Sequence, residues 1–119
     1  MSRVASTNKD FFNKFAELVS NPGTYGGKVT NPGRSLTGEV IRNDRGLILN
    51  AGYLGEERAE YEDTLINMLH NGPVVIGYSY GTPIIIAQNV GGKIEYWETK
   101  QKYSVTTSRH HSGYRVALH

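Results

Sequence analysis

Residues 74–98 read VVIGYSYGTPIIIAQNVGGKIEYWE, and this stretch decides the fold. Val74 to Ser79 is apolar and β-branched. Thr82 to Gln88 (TPIIIAQ) is a second such run, and Lys93 to Glu98 (KIEYWE) alternates polar and apolar residues with a period of two. Tyr80-Gly81 is short enough for a tight connection, and Asn89 to Gly92 supplies the next turn. Pro83 falls near the start of its run, where a strand tolerates a missing donor. The unbroken triplet Ile84-Ile85-Ile86 suits a strand covered on both faces, or a central strand of a small sheet. The stretch therefore predicts an antiparallel meander.

Moving towards the N-terminus, Glu56 to Asn71 has helical spacing. Tyr61, Leu65, Met68 and Leu69 fall at i, i+4, i+7 and i+8, Ile66 widens the stripe, and Gly72-Pro73 ends it. Before it, Leu36 to Arg42 and Leu47 to Ala51 flank the turn formers Asn43-Asp44-Arg45-Gly46, which predicts a hairpin. Residues 21–35 read as a Gly/Pro-rich loop with two Asn-Pro-Gly turns, at Asn21 and Asn31. Its Gly23, Gly26, Gly27 and Lys28 fall one residue short of a phosphate-cradling loop, and Val29 stands where a hydroxyl is needed. Lys28 and Arg34 of this loop are outer binding candidates. At the start of the chain Thr7 and Asp10 fit a capping box, and Phe11, Phe12, Phe15, Leu18 and Val19 form one apolar helix face ending at Asn21-Pro22.

Together these elements predict a single α+β domain over residues 1–119. Its small, mostly antiparallel sheet has about five strands, with two main helices and a short C-terminal helix enough to cover one face. At 119 residues, with 38% hydrophobic and 20% charged, the composition is that of one globular domain. The absence of cysteine excludes disulfides, thiol catalysis and thiolate metal sites. No apolar run reaches the ~20 residues that span a bilayer, and residues 1–10 lack a signal-peptide core, so a soluble cytoplasmic protein with no membrane role is expected.

A net charge of +2 argues for no partner by itself, but the charge is unevenly placed. Glu56 to Asp63 (EERAEYED) holds five acids and one base, as a helix start does. From Thr99 to His119 there are Lys100, Lys102, Arg109 and Arg115, three histidines and no acid. Within it, Tyr103-Ser104-Val105-Thr106-Thr107-Ser108-Arg109-His110-His111 packs hydroxyls where they can cap a helix running from about Ser104 or Thr106 to Leu118, with Gly113 weakening its middle. Amides and hydroxyls at such a start, beside Arg109 and Lys102, suit a phosphate or other anion. On that helix Thr106, His110 and Gly113 share one face, and Thr107, His111, Tyr114 and Leu118 another. The binding candidates are thus Lys102, Tyr103, Thr106, Thr107, Arg109 and His110. Adjacent His110 and His111 diverge by ~100° on a helix, which does not suit shared ligation, so neither metal nor cofactor is expected.

Ser79-Tyr80-Gly81-Thr82-Pro83 followed by the string Y-S-x-T-T-x-[RK]-H at Tyr103 to His110 resembles a group of small proteins encoded by bacteriophages, plasmids and other mobile elements. The resemblance covers residues 74–118 and does not extend to the N-terminal third. It implies a genetic context, a bacterial host cell, and a strand-to-helix junction in which Thr106 and Thr107 cap and His110 packs; it transfers no catalytic residue.

The function expected from these features is a small accessory protein that binds a host protein or nucleic acid without catalysis. An inhibitor of host defence, of anti-CRISPR or anti-restriction type, is the example that context offers. The alternative is a nucleic-acid-binding protein, with Tyr96, Trp97, Tyr103 and Tyr114 for stacking, or a small nuclease or phosphotransfer enzyme using the Tyr103–His111 segment. An enzyme would need a carboxylate to orient a histidine, and Glu95 and Glu98 are the nearest in sequence. A chain this small with an apolar edge strand also has a route to a homodimer.

Overall fold

Both faces of one sheet are buried under helices. The computed structural model describes residues 3–43, 51–100 and 105–118, with the backbone alone for 51–53 and 105–107. The elements are β1 (Arg3–Val4), α1 (Asn8–Ser20), β2 (Lys28–Thr30), β3 (Leu36–Ile41), α2 (Arg58–Leu69), β4 (Val74–Ser79), β5 (Thr82–Val90), β6 (Lys93–Glu98) and α3 (Val105–Leu118). The six strands lie in sequence order across the sheet. β1 runs parallel to β2, and every other pair is antiparallel. The fold is α+β as expected, with six strands rather than about five.

The predicted meander is present. Tyr80 and Gly81 turn β4 into β5 with φ of 52° and 81°, the two positive values that a two-residue turn of matching twist needs. Gly91 and Gly92, at 60° and 90°, do the same between β5 and β6. Gly77 pairs with Ile85 and Tyr78 with Pro83, so Ile84 is an extra residue in β5. That bulge sends Ile84 and Ile85 to the same side of the sheet, and Pro83 sits beside it.

On one side α1 and α3 bury Phe11, Phe15, Leu18, Val29, Leu36, Val75, Ile85 and Tyr114. On the other, α2 buries Tyr61, Leu65 and Met68 against Val74, Ile76, Tyr78 and Ile86. Each fully buried large apolar side chain contributes about 1.5–3 kcal/mol before chain entropy is counted. The helices therefore do not share one face. Alternation along β4 explains why: Val74, Ile76 and Tyr78 point to α2 while Val75 and Gly77 point to α1 and α3.

Thr7 caps α1 as predicted, its Oγ1 accepting from the Asp10 amide at 3.0 Å. The Asp10 carboxylate pairs with Lys14 and accepts from the Ser6 amide at 2.8 Å, and these partners hold its carboxyl down at about 2. α2 is shorter than the expected 56–71, because Ala51–Glu57 is a 3-10 segment. Its C-terminal end is held by Gln88, whose Nε2 donates to the carbonyls of Met68, Gly72 and Pro73 at 2.8, 3.0 and 3.2 Å.

Of the expected hairpin, the first arm is present as β3, which pairs with β2 through Thr37–Glu39 and with β4 along Leu36–Ile41. Its turn and second arm fall on residues 44–50, outside the described residues. The 21–35 loop is more structured than its Gly/Pro content predicts: it holds a 3-10 turn at Thr24–Gly27 and β2.

Candidate functional site: the cleft between β6 and α3

Strand alternation and helix periodicity together build a polar cluster where β6 ends beneath α3. Along β6, Trp97 faces α2 and its Nε1 donates to Glu60 at 3.0 Å. The next residue, Glu98, must face the other way, towards α3. On α3, His111 and Arg115 are one turn apart and both reach it. His111 Nδ1 lies 3.3 Å from Glu98 Oε2, and Arg115 Nε donates to Glu98 Oε1 at 2.8 Å. A carboxylate only accepts, so Glu98 fixes the ring proton of His111 on Nδ1. The other ring nitrogen, Nε2, is buried and has no hydrogen-bond partner among the described residues. Around this cluster is a cleft of about 510 Å³ lined by Glu98, Thr99, Lys100, Ser108, His111, Ser112 and Arg115. Its floor is braced from the α2 side by Glu57, which accepts from the Thr99 hydroxyl and from the Lys100 amide.

The inward side of α3 is structural. His110 Nδ1 is hydrogen-bonded to Ser79 Oγ at 2.7 Å, and its ring lies 5.7 Å from that of Tyr80. Burial, with a smaller push from His111, lowers its pKa, so the neutral ring is favoured. One turn on, the Tyr114 hydroxyl donates to the carbonyls of Tyr78 at 2.8 Å and Thr37 at 3.2 Å. Its ring is ringed by Phe11, Phe12 and Phe15, and burial raises its pKa well above the ordinary tyrosine value. Gly113, which lowers helix propensity, is what lets α3 approach α1: a Cβ there would lie 2.2 Å from the Phe12 ring.

The predicted site residues are thus divided. Lys102 and Tyr103 lie outside the described residues, and Thr106 and Thr107 belong to the first turn of α3. Arg109 is exposed on α3. His110 is 5% exposed and bonded inward to Ser79. Tyr114 is fully buried, so it offers no stacking face, whereas Tyr96 is 37% exposed. Lys28 is exposed on β2, 3.8 Å from Glu39, and lines a separate pocket that shares no residue with the β6–α3 cleft. Arg34 is exposed in the β2–β3 turn at φ 58°, its amide bonded to the Asn31 carbonyl. Neither joins the cleft lining. The cleft members absent from the binding candidates are Lys100, Ser108, His111, Ser112 and Arg115, of which Ser108 and His111 fall within the Tyr103–His111 segment of the alternative reading. Their signal was the spacing 108, 111, 112, 115, one strip of a helix, with Glu98 as the nearest acid upstream.

Among the described residues, no helix is long and apolar enough to cross a membrane. Among them also, no group of three or more His, Asp or Glu side chains is placed to hold a metal ion. Comparison with protein-family models, curated proteins and solved structures finds no match to this chain.

Proposed function

We propose that this chain is a small accessory protein of a bacteriophage or other mobile element that acts in the host cytoplasm by binding, without catalysis. Its partner is a host protein or nucleic acid, and its use is inhibition of a host defence of CRISPR or restriction type. The genetic context rests on the resemblance of Tyr103–His110 to mobile-element proteins.

The observation that carries the binding role is the division along α3. His110 and Tyr114 are committed inward to Ser79 and to backbone carbonyls. Lys100, Arg109, Arg115 and Val116 are exposed, in a segment that has no acid from Thr99 to the end of the chain. A rigid helix presenting cations and an apolar residue, anchored by its other face, is a contact surface.

One observation favours a second role. Glu98 supplies the orienting carboxylate for His111 that acid–base chemistry needs, so a nuclease or phosphotransfer enzyme would use His111 and not His110.

One experiment separates the two. The full chain is incubated with single-stranded DNA, double-stranded DNA and RNA in the presence of magnesium, and both cleavage and binding are followed as salt rises. Binding without catalysis predicts intact strands, and any nucleic-acid affinity should fall steeply with salt. Strand cleavage that disappears in His111→Ala would overturn it.

A further inference from the structure

We infer that Asn71-Gly72, in the turn that joins α2 to β4, is a site of spontaneous deamidation whose rate is set by Gln88. Asn71 is the one asparagine of the chain that is followed by glycine. It is exposed, and its carboxamide has no hydrogen-bond partner among the described residues. Gly72 has a φ of 130°, and a Cβ there would meet nothing within 4 Å, so no side chain or neighbour screens its nitrogen. Other asparagines lack this setting. Asn21 and Asn31 precede prolines, which have no amide hydrogen to give up, and Asn89 precedes the β-branched Val90.

Water is the only co-reactant. The Gly72 amide gives its proton to solvent hydroxide, and its nitrogen bonds to Cγ of Asn71. The Cγ–Nδ2 bond breaks, and the nitrogen leaves as ammonia after taking a proton from water. A five-membered imide results. Water then opens one of its two carbonyls. One opening leaves an aspartate at position 71. The other leaves the main chain running through the former side-chain carbon, one methylene longer.

The turn holds the attacking nitrogen back. Its N–H donates to the Leu69 carbonyl at 3.3 Å, and the Gly72 carbonyl accepts from Gln88 Nε2 at 3.0 Å. Both bonds must open before the nitrogen can swing onto Cγ. Opening of an exposed helix end is a low-energy fluctuation of a fold. Gln88 also holds the carbonyls of Met68 and Pro73, so this one buried side chain sets how often the turn opens. The products then weaken that hold. Each puts a carboxylate at the C-terminal end of α2, where the helix dipole disfavours it. The longer chain also moves the Gly72 and Pro73 carbonyls relative to Gln88. The reaction involves neither the α3 face nor a partner, so it stands or falls apart from the binding role.

The test incubates the full chain at pH 8 and 37 °C and follows deamidation by mass spectrometry of tryptic peptides, with a synthetic peptide of residues 67–75 as the unheld reference. The expected result is conversion at position 71 ahead of every other asparagine, slower than in the free peptide. It should be at least threefold faster in Gln88→Leu and absent at that position in Asn71→Gln. Gln88→Met, of similar length, serves if Gln88→Leu does not fold. Position 71 intact in the wild type after ten times the period that converts the peptide would overturn the site. Equal rates in the wild type and the Gln88 variant would overturn the control by Gln88.

Discussion

Gly113 lies against Phe12, so closely that a Cβ on the glycine would fall 2.2 Å from the ring. The same ring sits 5.2 Å from that of Tyr114 and 5.4 Å from that of Phe11, so it has little freedom to retreat. Glycine costs a helix about 1 kcal/mol relative to alanine. Overpacking costs about 1–3 kcal/mol.

Gly113→Ala should therefore destabilise the protein despite its gain in helix propensity. Urea denaturation measures the sign. A second change, Phe12→Leu, should recover part of the loss by opening the contact. A Gly113→Ala protein more stable than wild type would mean that α3 does not cross α1 at this point.

His110 predicts a pH dependence. Its folded pKa is lowered by burial, whereas an unfolded histidine titrates near ~6.5. Between those two values the unfolded chain binds more protons, so stability rises with pH there. The contribution is complete above about pH 6.5 and is lost as pH falls below it towards the folded value. The urea midpoint of the wild type should drop between pH 7.5 and 5.5, and that of His110→Gln should drop less. Equal slopes would show that His110 is not held neutral against Ser79.

Gln88 predicts a local effect at a distance in sequence. Its Nε2 serves three carbonyls at the end of α2. Gln88→Leu removes that donor and should cost about 1–3 kcal/mol. Hydrogen exchange should speed up at the amides of Asn71 and Gly72, which close the helix on Met68 and Leu69. Unchanged exchange at those amides would contradict the capping role.

What could be read beforehand was local. Thr7 and Asp10, the Tyr80-Gly81 turn and the span of α3 each depend on residues within a few positions of one another. β3 shows the limit. Leu36–Ile41 has strand character in any context, but its partner β4 begins more than thirty residues later, and nothing local to β3 records that choice. β2 escaped notice because Lys28-Val29-Thr30 is too short for periodicity and follows Tyr25 and Gly26, both at positive φ. The cleft was half legible. The cations and hydroxyls were in view, but which histidine meets a carboxylate depends on how α3 is rotated over β6, and Gly113 and Tyr114 set that through Phe12 and Gly77.

The central claim is that the exposed side of α3 is the partner-binding face. The most direct measurement replaces Arg109 with the photo-crosslinker p-benzoylphenylalanine in bacterial cells, and the exposed Ile66 of α2 as a control. Adducts forming from position 109, lost when Arg115→Glu is added, and absent from position 66, are the predicted result. Adducts from position 66 with none from 109 would contradict it.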